Sequence, residues 1–322
     1  KIHRASARRE VILSAGPFNS PKILMLSGIG ERKQLSTHGI ETLVDLPGVG
    51  QNLQDHLGVS THFECKEPIT LNGRLNPISK LLIGTQWLLF KSGLGATSHY
   101  EANGYIRSKP GLEIPDIQFH FSPVARVFDG SDYHKGHGFH AFMDHAKPLS
   151  RGYVRLRSNK ADEPPEIRFN YLEHEEDRRV LRACVRLARE IIAQPSFDRY
   201  RGEEIRPGSH ISSDDELDAW IAKNASTSYH PSGTCKMGQG PDAVVDHETR
   251  VHGVDGLRVV DSSIMPTITN GNLNAPTIMI GEKASDMILG RPPLESLDAP
   301  VIVQDDWQTN QRAGAPKRMH PT

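Results

Sequence analysis

The apolar positions of this chain fall into two patterns, and each pattern predicts a different kind of structure. A short apolar run over residues 10–15 ends at Gly16-Pro17 and is typical of a strand buried in a parallel sheet. Runs of the same kind occur at residues 42–46 and 257–261. Helical patterns separate these runs, so both ends of the chain predict an α/β fold.

Punctuation residues set the predicted bounds of the helices in these regions. After the first strand we predict a helix that Ser20 caps, with Pro21 in its first position, where the missing N–H costs nothing. Gly28 ends that helix. A second helix over residues 275–289 ends in the same way at Gly290.

The middle of the chain, residues 57–224, has a different pattern of apolar and polar residues. Segments such as 116–121 and 152–158 alternate between apolar and polar side chains, which indicates antiparallel strands with one solvated face. Residues 173–194 carry an apolar stripe at helical spacing, and a capping box at 213–216 begins another helix. This region predicts an inserted α+β domain built on an antiparallel sheet.

These patterns predict an α/β domain formed by residues 1–56 and 225–290, which a second domain over residues 57–224 interrupts. Residues 291–322 are rich in Pro, Asp and Gln and are expected to form a surface tail. The chain starts without Met on basic residues and reaches a core strand almost at once. We therefore expect it to be the C-terminal part of a longer protein.

Composition excludes several functional classes. The 38 Lys and Arg residues balance the 39 Asp and Glu residues, which argues against a nucleic-acid partner. Cys65, Cys184 and Cys235 lie far apart, which excludes a disulfide framework and a cysteine-based zinc site and suits a reducing, cytoplasmic location. The most apolar segment, residues 81–90, is too short to cross a membrane, since crossing takes about 20 residues.

Two long motifs carry the most specific information. Residues 16–30 have the sequence GPFNSPKILMLSGIG, and a second block runs from YHPSGTCKMG at 229–238 through LRVVDSSIMP at 257–266 to GNLNAPT at 271–277. Together they resemble the second signature and the C-terminal catalytic block of the glucose–methanol–choline (GMC) oxidoreductases. The resemblance implies an enzyme that oxidises an alcohol with FAD, built from an α/β FAD-binding domain and an inserted substrate-binding domain.

Within that family the chain is most similar to the choline-oxidising members. The similarity lies in residues 63–68, 95–102 and 207–210 of the inserted domain. It implies oxidation of choline to betaine aldehyde, a step of glycine betaine synthesis. It also implies a quinone or a respiratory chain as electron acceptor and peripheral association with the inner membrane.

The dinucleotide motif of the family does not occur in this sequence. FAD domains of this kind begin with a strand, a Gly-x-Gly-x-x-Gly turn and a helix, which hold the pyrophosphate. The Gly-x-Gly sequences at residues 28–30 and 48–50 are followed by Glu-Arg-Lys and Gln-Asn-Leu, so neither is that turn. We expect the FAD-binding domain to be incomplete here and the N-terminal half of the same protein to complete it.

The resemblance assigns the catalytic chemistry to His230 and Asn272. Alcohol oxidation needs a base for the hydroxyl proton, and imidazole titrates near neutral pH. The Asn272 amide hydrogen-bonds the developing alkoxide without competing as a base. The alternatives are that His230 only packs or caps, and that Asn272 is an ordinary loop residue before a helix.

The resemblance also assigns substrate contacts. Glu101 receives the trimethylammonium group, and the rings of Tyr100 and Tyr229 add cation–π attraction. The alternative for Glu101 is a solvated surface carboxylate. Where choline oxidases carry a His that contacts substrate, this chain departs from the pattern with Lys147, and His145 lies close by.

FAD contacts are expected at the ends of the α/β strands and before the last helix. The resemblance places them at Ala15, Gly16, Asp261, Ser262, Asn274 and Pro276. Carboxyl ends of strands are where α/β sheets bind ligands. The alternatives are a tight turn at the first pair, helix capping at the second pair and an ordinary loop Asn at residue 274.

His134, His137 and His140 form a run with metal-ligand residue types. The glycines at residues 136 and 138 break any helix that would gather these side chains on one face, so we predict a polar loop and no metal site.

Two rival functions stay open. A hydrolase is the rival enzyme class, but the sequence has no Gly-x-Ser-x-Gly elbow, and Ser232 lies only two residues from His230. A non-catalytic remnant is the other rival, because the dinucleotide motif does not occur in this sequence.

Overall fold

The structure, a computed structural model, describes residues 3–125 and 135–300, which form two compact units. The first unit contains residues 3–56, 147–174 and 229–300, and the second contains residues 57–125, 135–146 and 175–228. Residues 291–300 have no regular secondary structure and are exposed. The elements are numbered in chain order over both units.

The first unit combines short strands with helices. Its elements are β1 (Val11–Leu13), α1 (Gly16–Leu26), β2 (Ile29–Gly30), α2 (Arg32–Thr37), β3 (Val44–Asp45), β8 (Tyr153–Arg155), β9 (Glu166–Arg168), β12 (Leu257–Val259) and α6 (Asn274–Leu289). β1 pairs in parallel with β12, and β2 pairs in parallel with β3. The α/β pattern predicted for the two ends of the chain is therefore present.

Strand β1 is more exposed than its apolar sequence predicts. Val11 is 48% exposed and Ile12 is 45% exposed, so the prediction of a buried strand is wrong for these side chains. In the part of the chain that the structure describes, β1 has one strand neighbour, β12, in a sheet of two strands. Burial of such a strand needs other elements packed on both faces of its sheet, and Val11 and Ile12, which point to opposite faces, are both left exposed among the described residues.

The prediction that Ser20 caps α1 is also wrong. The helix begins at Gly16, and Pro21 lies inside it. A proline at this position cannot donate a hydrogen bond to the carbonyl of Pro17, four residues earlier. The Thr234 hydroxyl donates to that carbonyl instead, at 2.6 Å. A distant segment of the chain therefore supplies the hydrogen bond that the helix lacks.

Residues 147–174 belong to the first unit, although the predicted boundaries place them in the inserted domain. β8 and β9 form an antiparallel pair there. The backbone N–H of Val154 donates to the carbonyl of Gly50 at 2.6 Å, and Leu53 and Gly152 exchange two backbone hydrogen bonds. The alternation of side chains indicates a strand but not its partner, so the sequence did not reveal this return to the first unit.

The second unit is built on one antiparallel sheet. Its elements are β4 (Leu57–Cys65), α3 (Pro77–Phe90), β5 (Ala102–Ile106), β6 (Ile117–Ser122), β7 (Gly138–His145), α4 (Glu175–Ile192), β10 (Arg201–Arg206), α5 (Asp214–Asn224) and β11 (Ser226–Thr227). The strand order is β10-β4-β7-β6-β5, and β11 pairs with β4. All of these pairs are antiparallel, as the alternating pattern indicated.

The two faces of this sheet differ in character. Helix α4 packs against β4 and β7 on the apolar face, where Phe63, Phe139 and Ile192 form a buried cluster. Successive side chains of a strand point to opposite faces. The other face therefore carries polar and aromatic residues, among which the His62 and His140 rings stack with their centroids 5.0 Å apart.

Helix α3 contains the apolar segment at residues 81–90 and lies exposed along most of its length. In residues 3–125 and 135–300, no helix is both long enough and apolar enough to cross a membrane.

Candidate active site

His230 is the centre of a hydrogen-bonded cluster in the first unit. Its residue is buried, and its backbone N–H donates to the Asp55 carboxylate at 2.8 Å. The ring Nε2 lies 3.1 Å from the amide nitrogen of Asn272. The ring Nδ1 lies 3.0 Å from the Nδ1 of His56. The structure thus brings the two residues with predicted catalytic roles into direct contact and adds two that the sequence had not suggested.

Backbone pairing explains why these side chains meet. Gln54 and Ser232 form an antiparallel bridge in which each backbone N–H donates to the carbonyl of the other, at 3.0 and 2.9 Å. In that antiparallel register His56, two residues after Gln54, lies opposite His230, two residues before Ser232. The Gln54 side-chain oxygen also accepts from the backbone N–H of Ile268 at 3.2 Å, which fixes the loop that precedes α6.

Asp55, His56 and Tyr171 were not predicted as site residues. Asp55 is buried, and its second carboxylate oxygen accepts from the Tyr171 hydroxyl at 2.5 Å. The sequence signal was present: Gln-Asp-His at residues 54–56 stands between Leu53 and Leu57, which are both buried. Three consecutive polar side chains in an apolar setting indicate a hydrogen-bonded site.

The electrostatic setting of His230 favours its neutral form. Burial lowers the pKa of His230 from its usual value, and the negative charge of Asp55 opposes this effect. The imidazole is therefore neutral at neutral pH. Asn272 is exposed whereas His56 is fully buried, so Nε2 faces the open side of the cluster and Nδ1 faces the closed side.

Asp261 joins the carboxyl ends of β1 and β12. One carboxylate oxygen accepts from the Gly16 backbone N–H at 2.9 Å and from the Ser20 hydroxyl at 2.6 Å. The other oxygen accepts from the Ser263 backbone N–H at 2.8 Å and caps a short 3₁₀ helix. The Ala15 N–H donates to Ser20 Oγ at 3.0 Å. The capping interpretation of Asp261 accounts for one of its oxygens, and the other holds the start of α1.

The remaining predicted FAD positions have free space or solvent beside them. A Cβ at Gly16 would have no atom within 4 Å, and its φ of +80° suits glycine. Asn274 is exposed and Pro276 half-buried in the first turn of α6, which has no side-chain cap. Unpaired N–H groups and the positive end of the helix dipole at such a terminus attract negative charge. The Ser262 hydroxyl donates to the Pro231 carbonyl at 3.2 Å.

The predicted substrate residues are all exposed. In the second unit, Glu101 begins the pairing of β5 with β6, and its backbone N–H donates to the carbonyl of Phe121 at 3.0 Å. The ring of Tyr100 lies edge-on to that of His120, with centroids 5.4 Å apart. In the first unit, Tyr229 is 84% exposed and has a left-handed φ of 61°. Strain of this kind next to His230 is typical of functional sites.

Lys147 and His145 lie where choline oxidases are expected to carry a His that contacts substrate. Lys147 Nζ donates to the carbonyl of Ile268 at 3.4 Å, in the loop before Asn272. His145 is buried and pairs with Asp177, at 3.2 Å. Lys147 therefore lies with the loop of the first unit that precedes Asn272, whereas His145 is hydrogen-bonded to Asp177 in the second.

The two described histidines of this run, His137 and His140, contact different partners and do not form a metal centre. His134 lies outside the described residues. His137 Nδ1 is 2.9 Å from the Thr70 hydroxyl, and His140 Nδ1 is 2.5 Å from the Val124 carbonyl. Within the described ranges, no group of three His, Cys, Asp or Glu residues has the arrangement of a metal site.

Comparison with known proteins identifies the family. Two family models, both described as GMC oxidoreductase, match residues 1–58 and 148–281. The chain belongs to the GMC oxidoreductase family. The second match contains His230, Asn272 and the predicted FAD positions of the C-terminal block, and the first contains Asp55 and His56.

Two relatives illustrate how much of a longer protein the chain matches. It is 56% identical over 308 residues to the oxygen-dependent choline dehydrogenase of Brucella anthropi, with 95% of this chain and 56% of that protein covered. It is 51% identical over 320 residues to the protein of the same name in Photobacterium profundum, with 99% and 56% covered. The chain therefore spans a little more than half the length of these relatives.

Solved structures share the fold at lower identity. The formate oxidase of Aspergillus oryzae is 29% identical with a TM-score of 0.83, over 88% of this chain and 54% of that one. The pyridoxine 4-oxidase of Mesorbium loti is 30% identical with a TM-score of 0.75, over 88% and 52%. The fold is thus that of GMC oxidoreductases, with parts of an FAD-binding and a substrate-binding domain.

Proposed function

We propose that this chain provides the catalytic base and the substrate contacts of an FAD-dependent enzyme that oxidises choline to betaine aldehyde. The observation that carries the proposal is the geometry of the His230 imidazole, which is buried on its Nδ1 side and paired with Asn272 on its open Nε2 side. The names of the curated relatives support choline as the alcohol.

In this proposal His230 Nε2 takes the hydroxyl proton of the alcohol. The nearby negative charge of Asp55 stabilises the imidazolium that forms. In this structure the Asn272 N–H occupies the lone pair of Nε2; when the alcohol hydroxyl takes that place, the amide N–H can donate to the alkoxide oxygen instead. Charge on that oxygen then favours departure of the α-hydride.

The open side of Gly16 and the uncapped N-terminus of α6 fit a dinucleotide cofactor. FAD, when bound, supplies the acceptor for the α-hydride. Ala15 and Gly16 would lie against the adenosine half, and Asn274 and Pro276 against the flavin. Asp261 and Ser262 act by fixing the loops that carry these positions.

We also propose that residues outside this sequence supply the pyrophosphate cradle, because none of the 322 residues forms a Gly-x-Gly-x-x-Gly turn. The 322-residue chain, purified alone, should therefore not retain FAD, since backbone N–H groups of that turn normally hold the phosphates. A visible absorption spectrum of the purified chain is the measurement. A stoichiometric flavin band would contradict the proposal.

Glu101 gives the proposed site its preference for a cation. The trimethylammonium group of choline has no N–H to donate, so recognition depends on charge and on aromatic surface. Tyr100 and Tyr229 supply the aromatic surface in this proposal. Their exposure leaves their ring faces accessible.

The electron acceptor and the location of the protein stay predictions. A quinone is the acceptor expected from the sequence, while the name of the relatives points to dioxygen. Oxygen uptake and quinone reduction, measured on the same preparation with choline, decide between them. Fractionation of cells into membrane and supernatant tests the predicted cytoplasmic protein with peripheral membrane association.

The direct test of the function is anaerobic mixing of the complete, FAD-loaded enzyme with choline. We expect loss of the flavin absorbance and one equivalent of betaine aldehyde. Bleaching by another primary alcohol but not by choline would leave a GMC alcohol oxidoreductase with a different substrate. Ester hydrolysis without bleaching would favour a hydrolase, and no activity of either kind a non-catalytic protein.

A further inference from the structure

We propose that His56 is a positioning residue that fixes the tautomer of His230, so that Nδ1 carries the proton and Nε2 carries the lone pair that the base needs. This inference rests on the proposed function, because it concerns the base of that reaction. It concerns two side chains 174 residues apart in sequence that meet at 3.0 Å between their Nδ1 atoms.

The hydrogen bonds determine where each proton lies. The amide nitrogen of Asn272 can only donate, so His230 Nε2 must accept and carries no proton. A neutral imidazole has one N–H, which must then be at Nδ1 of His230. That N–H points to His56 Nδ1, which accepts it. His56 therefore carries its own proton on Nε2.

The geometry of His56 suits a fixed acceptor. The residue has no exposed surface, and its ring stands edge-on to that of His230 at 84° with centroids 5.1 Å apart. The reciprocal backbone bonds between Gln54 and Ser232 hold the two segments in register. Neither ring can turn without breaking the contact between the two Nδ1 atoms.

The acceptor is neutral, which separates this arrangement from a base oriented by a carboxylate. A carboxylate on Nδ1 would favour the charged imidazolium strongly. Here the Asp55 carboxylate accepts from the backbone N–H of His230 and from the Tyr171 hydroxyl. A neutral acceptor on Nδ1 orients the ring and leaves it unprotonated, as a base at neutral pH must be.

Two variants of His56 separate positioning from simple packing. The side-chain oxygen of Asn occupies nearly the place of imidazole Nδ1, so His56→Asn keeps the acceptor. His56→Leu fills a similar volume without one. Both variants are made in the complete FAD-loaded enzyme, labelled with ¹⁵N at histidine, and a His230→Gln sample identifies the signals of His230.

The first readout is the tautomer of His230 from long-range ¹H–¹⁵N correlation spectra. We expect the proton on Nδ1 in the unsubstituted enzyme and in His56→Asn, and a loss of that preference in His56→Leu. A His230 proton on Nε2 in the unsubstituted enzyme overturns the proposal even if neither variant folds. Retention of the Nδ1 proton in His56→Leu also overturns it.

The second readout is the rate of flavin reduction by choline. A base in the wrong tautomer costs about 10⁴-fold in serine proteases. We expect a loss of about 10²-fold in His56→Leu, at the lower end for general-base loss, and less than about tenfold in His56→Asn. Equal rates in His56→Leu and the unsubstituted enzyme overturn the proposal. Failure of the unsubstituted enzyme to oxidise choline counts instead against the proposed function, and the tautomer result then stands by itself.

Discussion

The His230 cluster of the first unit and the Glu101 segment of the second unit are built in opposite ways. His230 is buried and hydrogen-bonded through its backbone N–H and both ring nitrogens. Glu101 and Tyr100 are exposed at the start of an edge strand, and the backbone of Glu101 is fixed by pairing with Phe121.

This difference agrees with the roles proposed for the two regions. A base must keep its orientation and protonation state, which a network of fixed partners provides. A site for a trimethylammonium group needs charge and surface in the right place but no directed hydrogen bond. Substitutions in the cluster should therefore affect every alcohol, whereas substitutions at Glu101 should affect cationic alcohols selectively.

The largest expected effect belongs to His230→Ala. Loss of the general base should slow flavin reduction by about 10²–10⁴-fold for any alcohol substrate, because proton transfer then depends on solvent. Rapid-mixing absorbance of the complete enzyme measures this step apart from the electron acceptor. His247→Ala, an exposed histidine of the same unit, is the matched control and should reduce its flavin at the normal rate. A normal rate in His230→Ala would show that His230 is not the base.

Asn272→Ala should have the next largest effect. The substitution removes the donor to Nε2 and the proposed donor to the alkoxide, and loss of one such donor typically costs about 10²–10³-fold. The same rapid-mixing experiment measures the loss. Asn274 lies two residues further along, in the first turn of α6. Asn274→Ala should slow flavin reduction less, because the proposed contact of Asn274 is with the cofactor rather than with the reacting oxygen. The reverse order would move the catalytic amide to residue 274.

A smaller effect should appear in the pH dependence of kcat/KM for choline. The base works unprotonated, so activity falls as the pH drops through the pKa of His230. Burial lowers that pKa, so the acid limb should lie below about pH 6.5. Asp55 raises the pKa of His230, and Asp55→Asn should therefore move the limb to still lower pH. If the activity of the unsubstituted enzyme already falls on acidification above pH 7, burial does not lower the pKa of the catalytic base.

Local patterns predicted several elements well. The capping box at Ser213 and Glu216 is present, and the apolar stripe predicted over residues 173–194 is helix α4, whose buried positions include Cys184. Helix α6 ends at Gly290 in a left-handed conformation, as expected. These features depend on neighbours within one or two turns, so the sequence contains nearly all the information that determines them.

Predictions from the sequence failed where segments that are distant in the chain meet. The start of α1 depends on Asp261 and Thr234, which no local capping rule includes. For the site, the motif pointed to His230 and Asn272, but the partner on Nδ1 became visible only through the register that places His56 opposite His230. Pairing across 174 residues is a property of the fold rather than of any short window.

The most direct test of this account is the response of Glu101→Gln to two substrates of the same shape. Choline and its neutral isostere 3,3-dimethylbutan-1-ol are compared on the complete enzyme, on Glu101→Gln and on His230→Ala. We expect Glu101→Gln to lose about tenfold more in kcat/KM for choline than for the isostere, which corresponds to about 1.4 kcal/mol. His230→Ala should lose equally for both. Equal losses for the two substrates in Glu101→Gln, or none, would contradict the assignment of Glu101 as the cation site and with it the choline specificity.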